Sequence, residues 1–543
     1  MTEKEAIEKI HSVYPTGCKN GLENMRALMG RLGNPQEKLT MVHVAGTNGK
    51  GSCCAMIERM LRAAGYKTGL YTSPYIEVYN ERIRINGEPI AGDKLAALVE
   101  SVWPAVEACE KDGVQITEFE LGTALAFCCF AKEKVNVAVI EVGLGGRLDP
   151  TNIITPAVSV ITEVGMDHMQ FLGDTIEQIA LEKAGIMKPG VPVVLGRQEK
   201  AARGVLLAAA KGKELPILSL TAENVKEERT RIAFDVAFGG ERLKALTVSL
   251  CGRHQADNAC AALGALLALK KKGMKIPTSA VRAGLADVHW PGRLEYFGRV
   301  LLDGAHNDPG VRALCGYLDR WMPKENTVLI SAMMRDKETE KMCQRLAARV
   351  RCVVCTQPNI PRAMPAGELA KEFEAQGIRA YAFAHVKDAL EEARRLAGPE
   401  GWVLGLDIQA QAVANTNARL AAAGLEAIGR AVQADHANLA AYLPAGGIDA
   451  AVFNFGYLPG ADHHQFSTPA TSLPALEAAL AALRPGGLLA ACLYSGGPNG
   501  DGEKKAVLAW LERLPLTRYT VLEARFANWA ETAPLPCFVL KNP

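Results

Sequence analysis

The sequence predicts an α/β protein of more than one domain, with a largely parallel sheet in its first part. Three observations carry that expectation. At 543 residues the chain is too long for one ordinary core, so two or three domains are expected. Over the first 300 residues, short β-branched runs alternate with longer stretches of helical periodicity. Three of the apolar runs, LTMVHVAG (39–46), VNVAVIEVG (135–143) and AVSVITEVG (157–165), share one plan and end in glycine.

Taken in order, the strand at 39–46 leads into CAMIERMLRAAG, which puts Met56, Met60 and Leu61 on one helical face and stops at Gly65. A second α/β stretch begins near Arg299. RVLLDGAHN, NTVLISAMM and RCVVCTQ are its expected strands, and VKDALEEARRLAG (386–398) is a helix closed by Gly398. After Glu400 alanine becomes abundant and the only lysines are Lys504, Lys505 and Lys541, which marks a boundary and a third α/β unit. The expected domains are 1–297, 298–400 and 401–543.

Composition narrows the function classes. Hydrophobic residues at 49% and charged residues at 22% are those of a soluble globular protein. A formal charge of +2 gives no global attraction to nucleic acid or an anionic membrane. The N-terminal MTEKEAIEKI is charged where a signal peptide needs an apolar stretch, and no apolar run is long enough to span a bilayer. A cytoplasmic protein is expected, acting on small molecules and working as a monomer. The 14 cysteines are scattered through apolar runs, and Cys352 to Cys355, the one C-x-x-C, lies in a strand-like segment rather than a metal knuckle. Buried reduced thiols are expected.

The chemistry begins at GTNGKGS (46–52), a glycine-rich turn between a strand and a helix. Backbone N–H groups there can approach phosphate oxygens, and the helix N-terminus adds a favourable dipole. Lys50 would reach the outer phosphates, with the Ser52 hydroxyl close by. The segment departs from a Walker A loop, since Val44 takes the place of the first glycine and Gly51 separates the lysine from Ser52. Strand, loop, Lys-Gly-Ser and helix in that order outweigh the reading as a plain tight turn. The GLGG of EVGLGGR (141–147) lacks the spacing and acidic partner of a dinucleotide fold, so a dehydrogenase is rejected.

HVAGTNGKGS (43–52) resembles the phosphate loop of the folylpolyglutamate/dihydrofolate synthases, relatives of the Mur cell-wall ligases. The resemblance continues through TSPY (72–75), ERIRINGE (81–88), TEFE (117–120), EVGLGGRLDPTN (141–152) and GMDHMQFLGDTIEQIALEKAGI (165–186). HQADNA (254–259), WPGRLE (290–295), DGAHN (303–307) and SAMMRDKE (331–338) follow in the family's order. The resemblance implies a P-loop, Mur-ligase-like central domain, then a second Rossmann-like domain that has lost its usual final strand. It implies an ATP-dependent folate–glutamate ligase acting through an acyl phosphate on folate or dihydropteroate, with L-glutamate and ATP as co-substrates. A Mur-type amino-acid ligase is the alternative; GKGS and TSP…ERIRING argue against it.

Carried over residue by residue, Thr47, Asn48, Gly49, Lys50, Gly51 and Ser52 would hold the ATP phosphates. Asn258 would lie near adenine, and Arg293 and Asp303 would approach from the domain junction. Ser73, Glu141 and His168 would hold a first magnesium. Lys183, carbamylated, would hold a second. Lys50, Lys183 and His306 are the expected catalytic residues, His306 meeting the incoming glutamate or the acyl phosphate. Alone, a glutamate at a strand end reads as surface charge and a lone histidine as structural; the motif context reverses both readings. Too few to cage magnesium unaided, these groups suit an ion that keeps waters and borrows phosphate oxygens. The folate pocket would involve Thr117, Phe119, Glu120, Leu148, Asp149 and Pro150. Two departures stand out: Tyr75 where a histidine often follows TSP, and Pro150 in place of a small residue.

GWVLGLDIQAQAVANTNARL (401–420) resembles the second strand and helix of a class I S-adenosylmethionine-dependent methyltransferase of an rRNA-methylase-like family. ADHANL (434–439), VFNFGYLPGADH (452–463) and LRPGGLLAACLYSGG (483–497) extend it. Asp407, Asp435 and Asn454 would be its vestigial cofactor residues. The first strand and its glycine-rich loop have no counterpart, so neither S-adenosylmethionine binding nor RNA methyltransferase activity is expected. WVLGLDI (402–408) is one strand claimed by two sheets.

Overall fold

A computed structural model describes residues 1–14, 21–335, 338–360, 362–397, 403–407, 410–422, 429–444, 447–454, 468–493, 500–524 and 535–542. The chain divides into two compact units, Met1–Ala397 and Gly398–Pro543.

The first unit is built on an eight-stranded sheet. In chain order its strands are β1 (Met41–Ala45), β2 (Thr68–Tyr71), β3 (Ile83–Ile85), β4 (Glu88–Pro89), β5 (Val137–Glu141), β6 (Val158–Ile161), β7 (Val193–Leu195) and β8 (Ile217–Leu218). The spatial order is β4-β3-β2-β5-β1-β6-β7-β8. β2, β5, β1, β6, β7 and β8 run parallel. β3 and β4 fold back antiparallel at one edge. The expected largely parallel sheet is therefore a mixed one, because Asn86 and Gly87, both with positive φ, turn ERIRINGE into a hairpin.

β1 and β5 are buried along their whole length, which explains why they read as continuous apolar runs rather than as alternating ones. One face is covered by the helix Lys50–Ala63, which buries Met56, Met60 and Leu61, and by the helix His254–Lys271. The other face is covered by the helices Gly92–Lys111 and Glu118–Lys132.

An antiparallel sheet was not anticipated: β9 (Glu223–Glu227), β10 (Ile232–Phe238) and β11 (Glu241–Val248). Its sequence signal is period-two alternation. Ile232, Phe234, Val236 and Phe238 are buried, and Gly239 and Gly240, both at positive φ, make the turn.

β12 (Glu295–Phe297) and β13 (Val300–Leu302) form a separate antiparallel pair. β14 (Val328–Ser331), β15 (Cys352–Cys355) and β16 (Ala380–Ala382) form a parallel sheet. RVLL is thus a strand, as expected, but it pairs locally across Gly298 instead of joining that sheet. Cys352 and Cys355 are buried within β15. The helix Val386–Ala397 closes this part; its expected stop, Gly398, lies outside the described residues.

In the second unit β17 (Val403–Asp407) pairs in parallel with β18 (Gly429–Gln433). β19 (Ile448–Asn454), β20 (Leu483–Leu493), β21 (Tyr519–Glu523) and β22 (Leu535–Lys541) make a four-stranded sheet in the order β19-β20-β22-β21. Among the described residues β17 pairs with β18 alone. Leu476, Leu489, Leu511 and Val539 belong to this unit's core.

Candidate functional site

Gly46, Val142 and Thr162, which directly follow β1, β5 and β6, open into one cavity of about 1070 Å³ within the first unit. The C-terminal rim of a parallel sheet is where such folds place ligands.

The loop at 46–52 is held from below by the segment after β6. The Thr47 amide donates to the Glu163 carbonyl at 2.7 Å, and the Thr162 hydroxyl donates to the Asn48 carbonyl at 2.7 Å. Thr47 Oγ1 bonds the Gly165 backbone in both directions at 3.0 Å. Gly49 caps the helix Lys50–Ala63 at φ +80°, and a side chain there would overlap the Asn258 amide. Such a fixed cradle offers the N-terminus of the helix Lys50–Ala63 to an anion without reorganisation. Lys50 Nζ donates to the Gly46 and Thr47 carbonyls at 3.1 and 3.2 Å. Ser52 is buried, within 3.5 Å of Gln255 Nε2, and Gln255 in turn accepts from Asn258 at 3.0 Å.

Glu141 ends β5, buried, and accepts the Ser73 amide at 3.2 Å. Burial raises its pKa, and Lys50, the Ser73 amide and Arg293 oppose the rise. His168 starts the short helix Met169–Leu172 at φ +50°. Lys183, on the helix Ile176–Ala184, is buried with its Nζ on the Gly46 carbonyl at 3.0 Å. Burial, reinforced by the charge of Lys50, lowers its pKa to about 7. Among the described residues no three His, Cys, Asp or Glu side chains form a ready metal cage. The donor set that lines the cavity, with hard oxygens from Ser73 and Glu141 and one imidazole nitrogen, fits magnesium completed by waters and phosphate oxygens.

The segment 293–310 supplies the facing wall. Asp303 accepts the Leu294 and Ala305 amides at 3.1 and 3.0 Å; burial raises its pKa and Arg293 opposes the rise. His306 Nδ1 is 2.8 Å from the Gly304 carbonyl, and its Nε2 is 3.4 Å from Asp167. Asn307 donates to Asn48 Oδ1 and to Asp167 Oδ2, both at 3.0 Å, and caps the helix Asp308–Trp321 by accepting the Gly310 amide.

On the remaining side lie Thr117, Phe119, Glu120, Leu148, Asp149 and Pro150. Thr117 and Glu120 form the capping box of the helix Glu118–Lys132, so local structure already accounts for both side chains. Asp149 is buried and accepts the Leu144 amide at 2.9 Å and the Thr151 hydroxyl. The Thr151 hydroxyl lies 2.8 Å from Nε2 of the buried His43.

The structure therefore brings every expected ligase residue, from Thr47 to His306, to one cavity. Asp407, Asp435 and Asn454 belong to the second unit and do not line it. Asp407 and Asn454 end β17 and β19, and their side chains lie outside the described set. Asp435 caps the turn His436–Tyr442 by accepting the Ala437 amide. Sequence reasoning missed Asp167 and Asn307, whose partners come from distant segments, and gave no role to Arg82 in ERIRING.

The comparisons with known proteins divide the chain similarly. The Mur ligase middle domain matches residues 44–266, and the Mur ligase glutamate ligase domain matches 292–406. The rRNA methylase family model matches 403–540. A dihydrofolate synthase/folylpolyglutamate synthase of Bacillus subtilis is 40% identical over 376 residues, covering 67% of this chain and 87% of that one. The structure of Mycobacterium tuberculosis folylpolyglutamate synthase with ADP and AMPPCP superposes with a TM-score of 0.68 at 32% identity, over 73% of this chain and 94% of that one. An FPGS–AMPPCP–folate complex gives a TM-score of 0.64 at 35% identity, over 72% of this chain and 99% of that one.

Proposed function

The chain belongs to the dihydrofolate synthase/folylpolyglutamate synthase family, and from that premise we propose that it joins glutamate to a folate through an acyl phosphate made from ATP. The observation that carries the reading is one cavity lined by Lys50, Ser73, Glu141 and His168 on the sheet rim and by Arg293, Asp303 and His306 opposite.

A carboxylate is a poor electrophile, so it must be activated before an amine can attack it. The γ-phosphoryl group of ATP passes to the acceptor carboxylate. Free glutamate then attacks with its amine and releases phosphate. Lys50 and the loop amides offset the charge that develops on the transferring group. Asn258 takes the adenine side, Arg293 and Asp303 the nucleotide from the facing wall, and His306 the glutamate or the acyl phosphate. Thr117 to Glu120 and Leu148 to Pro150 border the acceptor. Enclosure between the two walls keeps water from an intermediate that hydrolyses easily. A first magnesium, held by Ser73, Glu141 and His168, and a second, held by a carbamate on Lys183, would supply further charge neutralisation.

The Lys183 assignment is supported by burial beside the phosphate loop and by a pKa lowered to about 7, which leaves neutral amine to add carbon dioxide. Peptide mass measurement without acid exposure tests it; an unmodified lysine in active enzyme would refute it. We assign the ligase to 1–297 and 298–400 and a methyltransferase-like remnant to 401–543. Among the described residues no helix is long and apolar enough to cross a membrane.

The deciding experiment is ATP turnover with pteroates, folates and muramyl precursors, each with candidate amino acids. Glutamate-dependent turnover confined to pteroates or folates supports the reading. Turnover only with a muramyl precursor would replace it with a Mur-type ligase.

A further inference from the structure

Arg82 lines the cavity, yet the machinery described above gives it no work. Its Cζ stands 5.1 Å from the ring centroid of Tyr75 and 5.5 Å from that of Tyr79. Tyr75 follows Ser73 and Pro74, so one of these two rings sits beside the proposed metal-side hydroxyl. Among the described residues no carboxylate pairs with Arg82, and its buried Nε has no hydrogen-bond partner. A guanidinium stacked on aromatic faces keeps its planar N–H edge for a carboxylate, which it binds bidentately.

Its position separates it from the phosphate chemistry. The cations that act most strongly on Glu141 are Lys50 and Arg293. Arg82 instead acts on the phenols of Tyr71 and Tyr79. Tyr71 bonds Thr123 on the helix that begins beside Thr117, and Thr117 to Glu120 border the acceptor side. The Arg82 carbonyl accepts the Thr72 amide, which ties it to the chain just before Ser73. The cation therefore belongs to the acceptor side of the cavity, next to the reacting centre but outside it.

We propose that Arg82, stacked on Tyr75 and Tyr79, binds the non-reacting α-carboxylate of an acceptor that already carries glutamate. The inference rests on the ligase reading and deepens it: Arg82 favours glutamylated acceptors over a pteroate, whose single carboxylate must go to the phosphate.

The test compares tetrahydropteroate with tetrahydrofolate, which differ by the glutamyl group, in the full chain with AMPPCP present. Binding is followed by calorimetry and turnover by KM and kcat. For Arg82→Gln the tetrahydrofolate-to-tetrahydropteroate affinity ratio should fall about 10- to 100-fold, the range for a lost charge-assisted pair, with the change in KM rather than kcat. Arg82→Lys, which keeps the charge without the fork, should fall between wild type and Arg82→Gln, and it carries the test if Arg82→Gln melts early. An unchanged ratio, or equal loss for both ligands, overturns the assignment of Arg82 while wild-type turnover leaves the ligase reading standing. No glutamate-dependent turnover by the wild type with either acceptor would overturn the ligase reading itself, and this inference with it.

Discussion

At the scale of single residues, two buried side chains give opposite kinds of prediction. Glu141 is a carboxylate kept in a dry place beside Lys50, an arrangement that burial disfavours when the group is charged. Glu141→Ala should therefore reduce ligation by at least about 100-fold without lowering the melting temperature, because the fold loses a desolvated charge rather than a packing element. Near-normal turnover would contradict its place in the reaction. His43 is structural. Burial, with the charge of Lys188 adding to it, pushes its pKa down to about 3. Because the Thr151 hydroxyl is given to Asp149, the imidazole must donate from Nε2, a tautomer assigned from this network. The unfolded chain titrates at about 6.5. Between about 6.5 and 3 the unfolded state holds a proton that the folded state lacks, so stability falls as the pH drops through that window. His43→Gln should remove this slope: calorimetry at pH 5 in buffers of different ionisation enthalpy should show about one proton fewer taken up on unfolding. Equal proton uptake in both proteins would refute the neutral, buried histidine.

At the scale of elements, the helix Asp308–Trp321 begins where the two walls of the cavity meet. Its cap, Asn307, uses Oδ1 for the helix and Nδ2 for Asn48 and Asp167. Asn307→Asp keeps the capping oxygen but replaces the donor with an anion facing Asp167. The variant should melt within a few degrees of wild type while losing about 10-fold or more in turnover, since the cap itself accounts for only about 1 kcal/mol. Equal losses of stability and turnover would mean that Asn307 is merely a cap. The sequence made this element's neighbours legible unevenly. The loop 46–52 and the ends of β1, β5 and β6 were readable, because a buried parallel strand is a continuous apolar run closed by glycine. Asn307 and Asp167 were not, since nothing local distinguishes a bridging amide from an exposed one. The turn at Asn86–Gly87 and the alternation in 232–238 carried a plain antiparallel signal, but the helical stretches around them favoured a parallel reading. RVLL was readable as a strand, but its partner was not, because pairing across Gly298 competes with a distant sheet on equal hydrophobic terms.

For the whole molecule the question is which half owns Val403–Leu406. The glutamate ligase domain matches as far as residue 406 and the methylase family begins at 403, so both claim this strand, as the sequence itself suggested for 402–408. Its hydrogen bonds answer for one side: β17 registers with β18 from Val403↔Gly429 to Asp407↔Gln433. Every residue lining the cavity lies at or before Arg362, and the compact ligase unit ends at Ala397. A chain ending at Ala397 should therefore keep glutamate-dependent ATP turnover within about 3-fold of the full chain, as a unit with its own core does when a neighbour is removed. In the full chain, calorimetry should detect no S-adenosylmethionine binding, since strand-to-helix glycine turns are what hold such cofactors and the sequence leaves only residues 398–402 between the helix Val386–Ala397 and β17. If truncation instead cost more than about 10-fold in turnover at an unchanged melting temperature, β17 would be serving the ligase despite its pairing with β18, and the boundary would have to move past Asp407.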